Sequence, residues 1–370
     1  MNKGIFERVS KTNHEQVVYC NDESTGLKAI IAIHNTTLGP ALGGCRMWNY
    51  ESEADALKDV LRLSRGMSYK AAIAGLNLGG GKAVIIGDSK IDKNEILFRS
   101  FGRFVQGLAG RYITAEDVGT SVKDMEWVRM ETRYVTGISR ALGGSGDPSP
   151  VTALGTCSGI KATVKKQLGN DSLYDLKVGV QGLGHVGYHL CRYLHREGAK
   201  LFVTDIHNES IKRVVDEFGA HVIEMDQIYD AEIDIYAPCA LGATLNNDTI
   251  PKLKCSIVAG AANNQLKKED IHAQMLKDRG ILYAPDYAIN AGGLINVANE
   301  IEGYNRERAF TQAKEGIYDT LIKIYQESED DNVTTHMAAL KVAKKRISDV
   351  SKLKNVYLPK KNVMGKRDNV

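Results

Sequence analysis

A glycine turn in the second half of the chain constrains the fold more than any other feature of the sequence. It reads Gly182-Leu-Gly-His-Val-Gly187 and follows an apolar, strand-like stretch at 177–181. The residues after it place apolar side chains at helical spacing, and the next strand-like stretch, 200–204, is followed by Asp205. A strand, a glycine turn, a helix and a second strand ending at an acid are the parts of a dinucleotide-binding unit.

The rest of the chain continues to alternate between strand-like and helical stretches. Short apolar segments at 233–237, 256–260 and 281–283 follow Asp205, and the first third contains a β-branched stretch at 27–34 with helical spacing at 52–67 and 91–108. Such alternation predicts an α/β fold with a doubly wound parallel sheet of the Rossmann type in the C-terminal half. Two long amphipathic helices are predicted near the end, around 310–324 and 334–349.

The length of 370 residues suggests two domains. The densest cluster of Gly, Pro and Ser, at 143–150, is the best candidate for a hinge between them. We therefore predict an N-terminal α/β domain over 1–145, joined by C-terminal helices from 330–370, and a dinucleotide-binding domain over 146–329. The last twenty residues are rich in Lys and Asn and are predicted to be mobile.

Each glycine of the turn has a separate expected role. Gly182 permits the tight turn, Gly184 lets a pyrophosphate approach the backbone, and Gly187 allows the helix to pack closely on the strand. The carboxylate of Asp205 can accept hydrogen bonds from ribose hydroxyls and would repel a 2′-phosphate, which favours NAD over NADP. The alternative is a glycine turn that binds nothing.

Composition excludes several classes of function. The net charge of +3 is too small to indicate a nucleic-acid or membrane-surface partner. The sequence has no apolar run of about 18 residues and no apolar leader, so we expect a cytoplasmic protein without a membrane span. The six cysteines are scattered without a Cys-x-x-Cys pair, which indicates reduced thiols rather than a metal site or a disulfide framework.

Two lysines lie in one of the least charged stretches of the chain. Lys70 and Lys82 flank Ala-Ala-Ile-Ala-Gly-Leu-Asn-Leu-Gly-Gly-Gly. A lysine in such surroundings needs an anionic partner or loses its charge through a lowered pKa, and either state suits an active site. Glu116 and Asp117 follow a short apolar strand, where α/β enzymes carry functional groups. A solvated surface is the alternative for each of these residues taken singly.

Several longer motifs point to one family. They read Gly39-Pro-Ala-Leu-Gly-Gly44, Arg46-Met-Trp48, Gly75-Leu-Asn-Leu-Gly-Gly-Gly-Lys82, Thr114-Ala-Glu-Asp-Val-Gly119, Ala237-Pro-Cys-Ala-Leu-Gly242, Ala261-Ala-Asn-Asn-Gln-Leu266 and Pro285-Asp-Tyr-Ala-Ile-Asn-Ala-Gly-Gly293. Over about residues 10 to 350 the chain resembles the Glu/Leu/Phe/Val dehydrogenase family, and within it the leucine dehydrogenases.

The resemblance implies a role for each matching residue. Lys70 would bind the substrate α-carboxylate, and Lys82 would be the general base that activates water, its pKa lowered by Lys70 and by dehydration. Asp117 would exchange protons with the substrate nitrogen. The remaining matches are pocket glycines and contacts to the nicotinamide end of the cofactor, namely Gly79, Gly80, Thr152 and Asn263. The implied reaction is metal-free, NAD-dependent oxidative deamination of an L-amino acid.

The family's side-chain pocket corresponds here to Leu42, Ala115, Leu294 and Val297. All four are aliphatic, so a branched-chain substrate such as leucine, isoleucine or valine is expected and glutamate is not. Leu294 replaces the usual valine of leucine enzymes, which would shrink the pocket and shift preference toward valine. Two alternatives stay open: an enzyme for phenylalanine or another aromatic amino acid, and a nucleotide-binding protein that has lost the chemistry. The resemblance also implies a homo-oligomer, commonly an octamer among leucine enzymes.

Overall fold

The computed structural model describes residues 4–353; the three N-terminal residues and 354–370, which include most of the segment predicted to be mobile, lie outside the described residues. The described chain divides into two compact units. The first comprises residues 4–146, 297–305 and 343–353, and the second comprises 147–296 and 306–342. The first boundary lies within the predicted hinge segment, 143–150.

The first unit is built around a mixed sheet. Its elements are α1 (Ile5–Thr12), β1 (Gln16–Asp22), β2 (Leu27–Asn35), β3 (Ala41–Trp48), α2 (Glu53–Ile73), β4 (Gly79–Ile86), α3 (Glu95–Gly107), β5 (Tyr112–Glu116) and α4 (Val122–Arg129). The strand order is β1-β2-β4-β3-β5, in which β3 is parallel to β4 and β5, while β2 is antiparallel to β1 and β4.

The central strands of this sheet are buried on both faces, which explains their almost continuous apolar sequence. On one face Phe98 and Phe101 of α3 pack against Ile31 and Ile33 of β2. On the other face a second cluster includes apolar residues of α2 and β2. The carboxyl ends of the parallel strands β3, β4 and β5 therefore emerge at one edge of a sheet that both helices hold in place.

The second unit contains a parallel sheet. Its elements are α5 (Ser149–Leu168), β6 (Lys177–Gln181), α6 (His185–Arg196), β7 (Lys200–Thr204), α7 (Asn208–Phe218), β8 (His221–Val222), β9 (Ile235–Pro238), β10 (Ile257–Val258), α8 (Glu269–Asp278), β11 (Leu282–Tyr283), α9 (Asp286–Ile289), α10 (Gly292–Ala298), α11 (Arg306–Asp330) and α12 (Thr335–Ser351). The last residues of α10 and of α12 belong to the first unit.

The order of the strands in this sheet identifies its topology. The sheet runs β11-β10-β9-β6-β7-β8 and every neighbouring pair is parallel, so the chain starts in the middle, moves to one edge and then to the other. This is the order of the doubly wound dinucleotide-binding fold, and the crevice at its point of reversal lies where β6 and β9 end. The predicted α/β class with a Rossmann-type C-terminal domain is confirmed.

The division into units differs from the predicted domain boundaries in two segments. Residues 297–305 join the first unit because the carboxylate of Glu300 accepts backbone hydrogen bonds from Gly137 and Ser145. The start of α12 belongs to the second unit, where the Thr335 hydroxyl donates to the carbonyl of Tyr283. Only from residue 343 does the chain return to the first unit.

Helix limits also differ from the sequence pattern. The helix predicted over 52–67 continues to Ile73, and the one predicted from residue 91 begins at Glu95. Asn94 fixes that start because its side chain accepts a hydrogen bond from the Leu97 amide at 2.9 Å, which is an N-terminal cap. Within residues 4–353, no helix combines the length and the apolar character that a membrane crossing requires.

Candidate active site

A buried lysine and a partly exposed aspartate form an ion pair in the first unit. Lys82 lies on β4 with a side chain that is 6% exposed, and Asp117 follows the last residue of β5. Lys82 Nζ lies 3.0 Å from Asp117 Oδ1. The structure therefore brings together the two residues predicted to carry the chemistry, where β5 ends level with the middle of β4.

The helix that carries Lys70 covers the face of β4 on which Lys82 lies. Gly80 faces α2 so closely that a Cβ atom there would lie 2.1 Å from the backbone nitrogen of Ser68. Side chains alternate along a strand, so Lys82 has the same orientation as Gly80 and points to the α2 side. Lys70 is half-buried in the last turn of α2, two residues after Ser68. Both predicted lysines thus belong to this side of the mixed sheet.

A glycine on the neighbouring strand makes room for Asp117. A Cβ atom on Gly44 would lie 2.8 Å from the Cβ of Asp117 and 2.4 Å from the carbonyl oxygen of Glu116. The backbone amide of Asp117 donates to the Thr120 hydroxyl, which in turn donates to the carbonyl of Cys45, both at 2.8 Å. These contacts fix the backbone of Asp117 against β3 and so determine where its carboxylate can lie.

Burial and charge act on the two pKa values in a way that suits proton transfer. Burial lowers the pKa of Lys82 below its ordinary value of 10.5, and the contact with Asp117 only partly opposes this. The charge of Arg46 also lowers the Lys82 pKa. Burial alone would raise the pKa of Asp117, but the charges of Lys82 and Arg46 overcome it and hold that pKa below its ordinary value. The pair thus combines a carboxylate with an amine that releases its proton more readily than usual.

Sequence reasoning gave no role to three residues that extend this pair. Arg46 Nε lies 3.0 Å from Asp117 Oδ2, and Arg46 Nη1 lies 2.9 Å from Asp59 Oδ2. The Tyr50 hydroxyl donates to the same oxygen of Asp59 at 2.8 Å. A charged residue inside the otherwise apolar strand β3 was the available signal for Arg46. Asp59 gave none, because its contact depends on how α2 packs against the sheet.

Replacing Gly80 by alanine should destabilise the protein by about 1–3 kcal/mol, the usual cost of overpacking a well-packed interior. The added methyl group would collide with the Ser68 backbone, so α2 would have to move away from β4. A lower thermal unfolding midpoint, with reduced activity, is the expected measurement. Gly66→Ala, in helix α2 itself, is the control, because nothing lies within 4 Å of its added Cβ. Equal midpoints for the two variants would contradict this explanation.

The glycine turn of the second unit has the geometry that its spacing predicts. Gly182 has φ +100°, which L side chains rarely adopt, and a Cβ there would lie 2.7 Å from the backbone nitrogen of Ala240. A Cβ on Gly187 would lie 2.0 Å from the carbonyl oxygen of Gly182, so the helix meets the strand closely. Gly184 is the N-terminal cap of α6 and has nothing within 4 Å of its Cβ position. This open space lies beside a helix N-terminus, whose partial positive charge favours the binding of a phosphate.

Asp205 lies directly after β7 and supports the same turn. Its Oδ2 accepts a hydrogen bond from the Leu183 amide at 2.5 Å, and its Oδ1 accepts one from the His207 amide at 2.8 Å. A carboxylate offers about four acceptor positions, so two remain for ribose hydroxyls. His185, in the same turn, has an 86% exposed side chain. The arrangement of the turn and Asp205 fits a dinucleotide.

The other predicted cofactor contacts lie in the same unit. The Thr152 hydroxyl donates to the carbonyl of Pro148 at 3.0 Å near the start of α5. Asn263 is exposed, and its Oδ1 accepts a hydrogen bond from Asn290 at 2.7 Å. These contacts orient both side chains.

The predicted substrate-pocket residues are distributed over both units. Leu42 on β3 pairs with Gly80 on β4, and Ala115 on β5 pairs with Gly44 on β3; both are buried. Leu294 is buried in α10, and Val297 of the same helix is half-buried. Val297 belongs to the first unit and Leu294 to the second.

All six cysteines are unpaired, and burial raises their pKa values, in Cys239 to about 11. Cys45 lies in β3 close to the ion pair, where its burial keeps the thiol protonated. Among residues 4–353, no three His, Cys, Asp or Glu side chains are grouped so that they could hold a metal ion.

A doubly wound sheet with an open glycine turn, together with a desolvated lysine–carboxylate pair on a second sheet, fits the class of nicotinamide-dependent dehydrogenases. Two family models match the chain: "Glu/Leu/Phe/Val dehydrogenase, dimerisation domain" over residues 14–134 and "Glutamate/Leucine/Phenylalanine/Valine dehydrogenase" over residues 201–354. The chain belongs to the Glu/Leu/Phe/Val dehydrogenase family and is an amino-acid dehydrogenase. The family resemblance predicted from the motifs is confirmed.

Individual relatives agree with this assignment. The chain is 59% identical over 354 residues to leucine dehydrogenase from Thermoactinomyces intermedius, and the matched region covers 96% of each protein. It is 57% identical to leucine dehydrogenase from Bacillus subtilis, with 96% of this chain and 97% of the relative covered. Among solved structures, L-tryptophan dehydrogenase from Nostoc punctiforme is similar with a TM-score of 0.87 and 49% identity, covering 94% of this chain and 100% of that one.

Proposed function

We propose that this protein catalyses the NAD-dependent oxidative deamination of branched-chain L-amino acids, releasing a 2-oxo acid and ammonium. The observation that carries the proposal is the Lys82–Asp117 pair, with Nζ and Oδ1 3.0 Å apart, in a chain that belongs to the family. The substrate class is supported by relatives named leucine dehydrogenase at 57–59% identity, compared with 49% for the tryptophan enzyme.

Lys82 is proposed as the general base. A desolvated lysine with a lowered pKa loses its proton more readily than an ordinary lysine, and its neutral form can take a proton from a water molecule. That water would add to the carbon of the imine left after the substrate Cα loses its hydride. The bound nicotinamide cofactor supplies the hydride acceptor. Lys82 then carries the proton that the water has lost, and its contact with Asp117 stabilises the resulting ammonium.

Asp117 is proposed to exchange protons with the substrate nitrogen. Its carboxylate is held deprotonated by two cations, Lys82 and Arg46, so it can accept a proton from the amino group and return one as ammonia leaves. Lys70, half-buried on the helix that covers this side of β4, is proposed to bind the substrate carboxylate as a point charge. Gly79 and Gly80 would present backbone groups to the substrate.

The proposed side-chain contacts are aliphatic. They are Leu42, Ala115, Leu294 and Val297. None can pair with a second substrate carboxylate, which argues against glutamate. A methylene in an apolar pocket changes discrimination by only about 1–3 kcal/mol, so leucine, isoleucine and valine should all react. An aromatic amino-acid dehydrogenase is the second candidate, because the tryptophan enzyme of Nostoc punctiforme is similar over nearly the whole chain.

A substrate panel tests this proposal. NADH formation would be followed with the purified protein and leucine, isoleucine, valine, phenylalanine, tryptophan or glutamate, each at saturating NAD. We expect turnover with the three branched-chain substrates and little with the others. Activity on phenylalanine or tryptophan without activity on leucine would favour the aromatic alternative. Absence of turnover with every amino acid, alongside normal NADH binding, would favour a protein that binds nucleotide without chemistry.

NAD, rather than NADP, is proposed as the cofactor. Gly182, Gly184 and Gly187 would hold the pyrophosphate, Asp205 the adenosine ribose, and Thr152 and Asn263 the nicotinamide end. The support lies in the two acceptor positions of Asp205 that remain after its bonds to the Leu183 and His207 amides. Its negative charge would repel a 2′-phosphate.

Replacing Asp205 by alanine should weaken NAD binding about tenfold to a hundredfold, because a hydrogen bond to a charged group is worth about 1.5–3 kcal/mol. Discrimination against NADP should fall at the same time. Fluorescence titration with NADH and NADPH measures both effects. Asp205→Asn separates the causes, since it removes the charge but can still accept a bond from the Leu183 amide. Unchanged NADH and NADPH affinities in both variants would refute the assignment.

A homo-oligomer is proposed as the assembly, with an octamer as the expected size, and the cytoplasm as its location. The support is that the first matching family model is described as a dimerisation domain. Light scattering coupled to size-exclusion chromatography measures the assembly directly. A mass equal to one chain of 40.6 kDa would contradict the proposal.

A further inference from the structure

Asp117 has two cationic partners, and the proposed chemistry uses only one of them. Oδ1 faces Lys82, while Oδ2 accepts from Arg46 Nε at 3.0 Å. The carboxylate cannot rotate without breaking one of these contacts. Its orientation toward Lys82 therefore depends on the position of the Arg46 guanidinium.

The Arg46 guanidinium also binds a second carboxylate, that of Asp59. Its Nη1 donates to Asp59 Oδ2 at 2.9 Å, and Asp59 belongs to α2, the helix that also carries Lys70. The Tyr50 hydroxyl donates to the same Asp59 oxygen, and Arg62 binds the other oxygen at 2.9 Å. The side chains of Arg46 and Asp59 are 21% and 19% exposed, so water screens their interaction only partly.

The planar fork of Arg46 is what allows one side chain to bridge two carboxylates. Nε and Nη1 point to different acceptors from a single rigid group, and a lysine offers one point charge that cannot reproduce this geometry. We propose that Arg46 is a positioning residue, which orients Asp117 toward Lys82 and is itself fixed to α2 through Asp59. This inference rests on the proposed function, since it concerns the same ion pair.

The charged groups around Asp117 and Asp59 determine whether each substitution raises or lowers the pKa of Lys82. Asp117 faces Lys82, Arg46 and the buried thiol of Cys45; Asp59 faces Arg46, Tyr50 and Arg62. Without Arg46, Asp117 can turn away from Lys82, and the contact with Asp117 raises the pKa of Lys82 more than the Arg46 charge lowers it, so this pKa should fall. Removing the negative charge of Asp59 leaves the positive charge of Arg46 less neutralised. A stronger positive charge near Lys82 should lower the pKa of that lysine.

The test compares Arg46→Gln and Asp59→Asn with the wild-type protein, using kcat/KM for leucine as a function of pH. Turnover needs neutral Lys82, so the rate rises with pH along the acid limb of the profile. For Arg46→Gln we expect a loss of roughly 100-fold, the scale of a misplaced reacting group, and an acid limb moved to lower pH. For Asp59→Asn we expect a smaller loss and a limb moved to lower pH. Arg46→Lys should not restore the rate.

Arg62→Gln is the matched control. It removes a cation from the other oxygen of the same Asp59 but leaves the contacts of Arg46 with Asp59 and Asp117 in place. Its rate and profile should match the wild type, and NADH affinity should be unchanged in all variants. An Arg46→Gln profile with wild-type rate and midpoint would overturn the inference, as would an equal change in Arg62→Gln. If Arg46→Gln does not fold, an unshifted Asp59→Asn profile overturns it. A wild-type protein inactive on every amino acid would instead refute the proposed function.

Discussion

Lys82→Ala should lose about 10²- to 10⁴-fold in kcat while its affinity for NADH stays at the wild-type value. This range is the usual contribution of a general base. Cofactor affinity should persist because the glycine turn and Asp205 belong to the other compact unit. Steady-state NADH formation with leucine and a fluorescence titration with NADH measure the two quantities separately.

The pH profile and chemical rescue distinguish a missing base from a damaged fold. In the wild type, activity should rise with pH through the pKa of Lys82, which burial holds below 10.5. Lys82→Ala should lose this limb, and small primary amines in the buffer should restore part of the turnover. Lys93→Ala is the matched control, because Lys93 is also paired with a carboxylate, that of Asp124, in the same unit. Near-normal turnover in Lys82→Ala, or an equal loss in Lys93→Ala, would show that Lys82 is not the base.

The nucleotide-binding half of the fold was predictable because its signals are local. The glycine spacing of 182–187 specifies a positive φ and a close helix–strand contact, and both need only neighbouring residues. The domain limits were harder to predict from the sequence. They depend on contacts distant in sequence, such as Glu300 with the amides of Gly137 and Ser145. No composition signal near residue 300 reveals such a contact.

The same distinction applies to the candidate site. Lys82 and Asp117 could be proposed from their unusual surroundings and from the family motifs, and the structure places them 3.0 Å apart. Arg46 lies in the motif Arg46-Met-Trp48, but the sequence did not indicate a role for it. Its proposed positioning role depends on Asp59, a residue of α2 with no distinguishing neighbours. Local sequence therefore indicated which groups are candidates for the chemistry, whereas tertiary packing determines how they are oriented.

Asp117→Asn should reduce kcat by about 10²- to 10⁴-fold, because an amide cannot accept the proton that the carboxylate takes from the substrate nitrogen. The KM for leucine should change much less, since the loss concerns a proton transfer rather than ground-state binding. The charge of Asp117 raises the pKa of Lys82, so its removal should lower that pKa further and move the acid limb of the profile to lower pH. The same direction is expected for Arg46→Gln, which loosens the same contact.

The stability of Asp117→Asn should also depend on pH. Lys82 is left without its carboxylate partner, and breaking a buried pair costs about 3–5 kcal/mol while the remaining charge stays. The lysine can escape part of this cost by losing its proton, so the folded state should be favoured at high pH and weakened as pH falls. Glu131→Gln is the matched control, because Glu131 also lies between two cations, Arg99 and Arg103, in the same unit. Wild-type turnover in Asp117→Asn would mean that Asp117 does not exchange the proton. A pH dependence of unfolding no steeper than that of Glu131→Gln would mean that Asp117 does not stabilise the charge of Lys82.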